Sequence, residues 1–189
     1  MPDHTNSTFI MHVPTRLLFG AGQLENLHRE TMPGRKAMIV ISNGKSTRAN
    51  GYLDRLTGQL EKAGVEYAVF DRVEPNPLKS TVNAGGRFAR EHGCDFIIAL
   101  GGGSCMDAAK SMALMAVNSG DYWDYIPSGT GKGRPVANRP LPLVAITPPP
   151  PEPGRRRMRA PWSRMRKHMK KRGLSIRTCF RRFPSWTPD

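Results

Sequence analysis

Strands and helices alternate through residues 1–147, which predicts an α/β domain, a parallel sheet with helices on both faces. Three observations carry this. Residues 37–41 and 96–100 are apolar at every position, as strands buried on both faces are and strands of a one-sided sheet are not. Leu53, Leu56 and Leu60 recur at helical spacing between them. The second apolar strand then runs directly into Gly101-Gly102-Gly103, a glycine turn feeding a helix.

The elements follow in order. Residues 1–8 are polar and read as loose. Residues 9–13 and 16–19 flank Pro14 and predict two short strands. Gly20-Ala21-Gly22 turns the chain into a helix over 23–30. The strand 37–41 is followed at its C-terminal end by the loop Ser42-Asn43-Gly44-Lys45-Ser46. Residues 52–63 are a helix stopped by Gly64, a residue suited to the left-handed conformation of helix ends. Residues 67–70 are a strand. Pro75-Asn76-Pro77 excludes helix and makes a rigid turn. Residues 80–91 are a helix closed by His92-Gly93. The strand 96–100 leads to a helix over 107–117, with Asp107 in its first turn. Residues 122–126 are an aromatic patch, 128–134 a glycine-rich loop and 141–147 a last strand. Ligands in such sheets sit at the C-terminal ends of the strands, where both the 42–46 and the 101–103 loops fall.

Charge divides the chain unevenly. Residues 148–189 carry 13 Lys/Arg against 2 acids, net +11, whereas residues 1–147 carry 16 against 13, net +3. The first part is an ordinary domain by composition, and the basic character belongs to the tail. Cys94, Cys105 and Cys179 show no paired or metal-site spacing, which fits a reducing compartment. The apolar runs are far too short for a membrane span, and the N-terminus has no basic stretch followed by an apolar one. A cytoplasmic protein is the expectation.

The Gly101–Gly103 turn has the build of a phosphate cradle. Glycines let backbone N–H groups close on an anion, and the following helix adds its partial positive charge. The plain alternative is a tight strand–helix turn, but Ser104 and Asp107 beside it favour phosphate. The usual dinucleotide fingerprint is not met, because Met106 stands where its third glycine belongs. Gly129-Thr130-Gly131-Lys132-Gly133 resembles a nucleotide loop but lacks the first glycine and the Ser or Thr of a P-loop, and reads as a surface loop. The five histidines are scattered, with no helical pair, which argues against a metal site. Cys105 at a helix start could carry a lowered pKa, though a small buried residue is the simpler reading. Tyr122-Trp123-Asp124-Tyr125 could stack a base, but core packing is the commoner use of such a patch.

Taken together, GGGSCMDAAK (101–110) resembles the GGGSxxDxAK signature of the iron-containing alcohol dehydrogenases. PTRLLFGAG (14–22), EPNP (74–77), CDFIIALGGGS (94–104), GDYWDYI (120–126) and PLPLVAIT (140–147) are similar to other segments of that family. The resemblance covers residues 9–147 and implies a Rossmann-like, dehydroquinate synthase-like N-terminal domain for a nicotinamide cofactor. A second, helical domain would hold iron or zinc through one Asp and three His. By resemblance, Gly101, Gly102, Gly103 and Ser104 bind the pyrophosphate and Asn76 lies beside the cofactor; Asp107 is a further candidate for cofactor binding. NAD-preferring members carry an acidic residue near the position of Gly44. Here Asn43, Gly44, Lys45 and Ser46 offer no carboxylate, and Lys45, Ser46 and Arg48 could take a 2′-phosphate, so NADP is favoured over NAD. The intact enzyme would act on a small alcohol or aldehyde, with a homodimer as the candidate assembly and no membrane or specific nucleic-acid partner.

The family pattern breaks after residue 147. A Thr-rich, TTAGTGSE-like loop is implied there, whereas the chain gives four prolines and then Arg155-Arg156-Arg157. A nucleic-acid-binding arm over 155–182, a disordered linker and a shifted reading frame compete. Regrouping permitted codons of residues 150–173 by one nucleotide allows T-A-G-T-G-S-E and a family-like continuation, and residues 179–188 allow L-F-P-A-F-S-V-L-D-P. A frameshift near residues 148–150 is therefore the expectation, leaving an unstructured tail and no metal ligands. The literal chain is expected to be inactive. A small basic nucleic-acid-binding protein and a stand-alone nucleotide-binding module are the competing classes.

Overall fold

The computed structural model describes residues 15–148; the strand expected over 9–13 and the basic segment from 149 onward lie outside them. Strands β1 (Lys36–Ser42), β2 (Glu66–Val73), β3 (Phe96–Leu100) and β4 (Leu143–Ile146) form one sheet in the order β2-β1-β3-β4. Every neighbouring pair is parallel. Helices α1 (Ser46–Ala49), α2 (Tyr52–Lys62), α3 (Lys79–Glu91) and α4 (Gly103–Val117) connect them, with 3-10 segments at Gln23–Arg29 and Tyr122–Tyr125.

Strand alternation divides the core into two layers. Met38, Val40, Ile97 and Ala99 pack with Ala89 of α3 and Ala108 and Met112 of α4. Ala37, Ile39, Ile41, Ile98 and Leu100 point the other way, onto Leu53, Leu56 and Leu60 of α2 and onto Leu27. Residues 37–41 and 96–100 are thus wholly excluded from solvent, which is why those runs contain nothing polar. Each large apolar side chain so buried contributes about 1.5–3 kcal/mol.

Helix ends obey local chemistry. Gly64 takes φ +67°; the Gly64 N–H donates to the Glu61 carbonyl at 3.1 Å and the Val65 N–H to the Leu60 carbonyl at 2.9 Å. That pair of hydrogen bonds closes α2 as expected, and Gly93 closes α3 the same way. At the start of α3, Glu74 accepts from the Leu78 N–H at 2.8 Å and from the Thr81 hydroxyl at 2.9 Å.

Several expectations change. Residues 16–19 are not a strand; Leu17 and Phe19 are 79% and 91% exposed, because a β-prone tetrapeptide forms a strand only against a partner and none stands beside it among the described residues. The helix over 23–30 is a 3-10 segment held by i→i+3 bonds such as the Glu25 N–H to the Gly22 carbonyl. Ser46 opens α1 instead of ending a loop. Helix α4 begins at Gly103, four residues before the expected start, so Asp107 lies in its second turn. Glycine is a poor helix former in mid-helix, but the first N–H groups of a helix lack partners in any case, so glycines there cost little. The last strand is shorter than 141–147. In the aromatic patch Tyr125 is buried with Tyr122 packed nearby, while Trp123 stays at the surface and donates its indole N–H to the Thr130 hydroxyl at 2.8 Å, pinning the glycine-rich loop.

Candidate functional site

The strand order creates one switch point. From β1 the chain crosses to β2 on one side, then returns past β1 to β3 on the other. Loops leaving β1 and β3 therefore diverge, and a crevice opens between their C-terminal ends, where ligands of open α/β sheets bind.

The β3 side is the glycine turn. Gly101 is buried at φ +149°, its N–H donates to the Ile146 carbonyl at 3.0 Å, and a Cβ there would stand 2.9 Å from the Cys105 sulfur. Gly102 is different: it is exposed and extended, at φ −85°, and a Cβ on it or on Gly103 would meet nothing within 4 Å. Here glycine is not needed to avoid the protein's own atoms. The open space lies beside the first turn of α4, whose N-cap provides no side chain to its N–H groups. Those free N–H groups and the helix dipole suit an anion, and Ser104 sits half-buried in that turn.

Cys105 joins the two loops. Burial pushes its thiol up, while a hydrogen bond with the Ser42 backbone pulls the other way, so the start of α4 touches the end of β1. The thiol is the buried small residue, not an activated nucleophile.

On the β1 side lies an open cleft of about 360 Å³ lined by Ser42, Asn43, Gly44, Lys45, Arg48, Ala49 and Asp71. The Asn43 N–H donates to the Val73 carbonyl at 2.9 Å, tying this loop to the end of β2. Asn43, Gly44 and Lys45 line this cleft together. Ser46 is exposed as the first residue of α1 and is not among the lining residues.

The loop 42–46 itself carries no carboxylate, but β2 brings one, Asp71, into the lining of the same cleft. A bulge supplies it. Val40 pairs with Phe70 but Ser42 with Val73, so β2 holds one residue more than β1 across that step. Phe70 and Val73 both enter the α3/α4 core, leaving Asp71 and Arg72 exposed between them. Bulges re-aim side chains in this way. The Asp71 carboxylate pairs with the Arg48 guanidinium at 2.9 Å. An acid at the end of the predicted strand 67–70 was the available signal for this residue.

The remaining expected residues lie apart from the cleft lining. Asn76, between two prolines at the end of β2, has φ +57° and is the only non-glycine residue with positive φ among those described. Asp107 is exposed and stands 3.7 Å from the Lys110 ammonium. Among the described residues no three His, Cys, Asp or Glu side chains are grouped to hold a metal ion, and no helix is long and apolar enough to cross a membrane. Residues 155–182 lie outside the described residues.

Comparison with known proteins places this geometry. Residues 14–148 match the family model of iron-containing alcohol dehydrogenases. The NADH-dependent butanol dehydrogenase B of Clostridium acetobutylicum is 33% identical over 138 residues, covering 73% of this chain and 34% of that protein. The NADPH-dependent butanol dehydrogenase of Clostridium saccharobutylicum is 41% identical over 100 residues, covering 53% and 25%. Among solved structures, an archaeal halo-thermophilic alcohol dehydrogenase from a Red Sea brine pool superposes with a TM-score of 0.69 at 36% identity, covering 76% of this chain and 37% of that one. The chain thus spans about a third of the length of the relatives it matches. The parallel sheet, its glycine turn and a family match that runs through all the described residues carry the assignment beyond the sequence resemblance: this chain belongs to the iron-containing alcohol dehydrogenase family.

Proposed function

We propose that residues 15–148 bind a nicotinamide dinucleotide and form the cofactor-binding part of an enzyme that interconverts a small alcohol and its aldehyde. The observation that carries this is the pair Gly102 and Gly103, whose Cβ positions open onto empty space at the uncapped start of α4. The pyrophosphate fits there, held by N–H groups of Gly102, Gly103 and Ser104, with Gly101 making the turn that presents them. Asp107, paired with Lys110, is placed nearby but not on the phosphates, because a carboxylate repels them. Asn43, Gly44, Lys45 and Ser46 take the adenosine end, and Asn76 stands on the side of the β2 terminus. Lys45 brings positive charge to the cleft and Arg48 a guanidinium, paired with Asp71, that a phosphate can engage, which supports binding of a 2′-phosphate and so of NADP, with NAD as the alternative. When bound, the nicotinamide supplies or accepts the hydride. The relatives named as NADH- and NADPH-dependent butanol dehydrogenases support both the cofactor class and the substrate class.

Among the described residues no cluster of His, Cys, Asp or Glu could hold iron or zinc. We further propose that residues 148–189 are translated out of frame and that the literal chain does not turn over alcohol. The family match ending at residue 148, at the head of the proline run, supports this. Resequencing the codons for residues 143–157 tests it: one surplus base is expected, and an unaltered sequence overturns the frameshift. The cofactor reading is tested by titrating the 189-residue chain with NADH and NADPH and following nicotinamide fluorescence. Saturable, stoichiometric binding is expected; no binding of either nucleotide defeats it.

A further inference from the structure

We propose that the Asp71–Arg48 ion pair sets the choice between a ribose 2′-hydroxyl and a 2′-phosphate, an inference that rests on the dinucleotide reading above. Three independent features converge on it. The bulge in β2 turns Asp71 outward at the C-terminal end of the strand. Both partners line the cleft beside Asn43, Gly44 and Lys45. The two side chains are 49% and 53% exposed and meet at 2.9 Å.

Each partner alone would select one nucleotide. A carboxylate at the end of this strand accepts hydrogen bonds from ribose hydroxyls and repels a phosphate, whereas a guanidinium binds a phosphate in two-pronged fashion. Joined, they neutralise one another, and the cleft keeps only the charge of Lys45, which has no ion-pair partner among the described residues. The pair is easily opened, because half-exposed ion pairs are screened by water and contribute little to stability. A dianionic 2′-phosphate can therefore draw Arg48 away from Asp71, while a 2′-hydroxyl can take an Asp71 oxygen with the pair intact. The chain is thus built to accept both nucleotides, with Asp71 weakening its hold on the phosphorylated one.

The test compares NADPH and NADH dissociation constants for the 189-residue chain, Asp71→Asn and Arg48→Ala, at low and high salt. Asp71→Asn is expected to raise the preference for NADPH roughly tenfold, and Arg48→Ala to lower it by a similar factor, the size of one hydrogen bond to a charged group. The gain in Asp71→Asn should shrink as salt rises. Thermal melts of all three should coincide within a few degrees, which separates selectivity from folding. If both nucleotides bind but neither variant moves their ratio beyond twofold, the proposal fails and the dinucleotide reading stands. If the unaltered chain binds neither, the reading fails and the proposal with it.

Discussion

Gly101 and Gly102 are neighbours with opposite requirements. Gly101 needs to be glycine for the fold: φ +149° is closed to side chains, and the Cys105 sulfur occupies the space beside it. Gly101→Val should cost about 2 kcal/mol or more in a urea titration. Gly102 has ordinary extended backbone and open space, so Gly102→Val should leave the melting curve within a degree or two and still abolish dinucleotide binding by filling the cradle. Retained binding in Gly102→Val would show that the open space is not the phosphate site. Glu74 shows how a residue that touches no ligand holds the frame of the site. Partial burial pushes its carboxyl up, but hydrogen bonds from the Leu78 N–H, its own N–H and the Thr81 hydroxyl outweigh this and leave its pKa lowered. A carboxyl lowered by folding contributes stability above its unfolded pKa of about 4.3 and loses it as pH falls through the lowered folded value. Melts from pH 6 to 3 should therefore drop more steeply for the parent than for Glu74→Gln. Equal slopes would remove Glu74 from the account.

Helices α3 and α4 approach as closely as their glycines allow. A Cβ on Gly85 would run into the Met112 side chain, and one on Gly86 would stand 2.6 Å from the Met115 Cβ and 2.9 Å from its backbone carbon. Met112 can bend; backbone cannot. Gly86→Ala should therefore destabilise by about 1–3 kcal/mol, despite the helix propensity that alanine gains, and Gly85→Ala should cost less. The order of the two urea midpoints checks this. On the opposite face Leu56 is completely buried between α2 and the sheet, and Leu56→Ala should cost about 2–5 kcal/mol. A loss below 1 kcal/mol would mean that α2 packs more loosely than the structure shows.

At the scale of the whole molecule, charge is segregated: net +3 over residues 1–147 and +11 over 148–189. Duplex DNA of arbitrary sequence should bind the full chain at low salt and weaken roughly a thousandfold between 50 and 200 mM salt. A chain ending at residue 147 should bind little at either. Sequence-specific binding that persists at 200 mM would give the basic segment a recognition role.

The sequence by itself determined the α/β class, the central strands, the glycine turn and the helix stops at Gly64 and Gly93. Each of these rests on local periodicity or on a conformation only glycine takes readily, so neighbouring residues suffice to state it. Only the tertiary structure decided the rest. Residues 16–19 have strand-like composition but no partner strand beside them. The start of α4 depends on how β3 delivers its glycines. Asp71 reaches the cleft because β2 holds one residue more than β1 between two pairs of the same ladder, a register set by two strands packing against α3 and α4 and visible in neither strand alone.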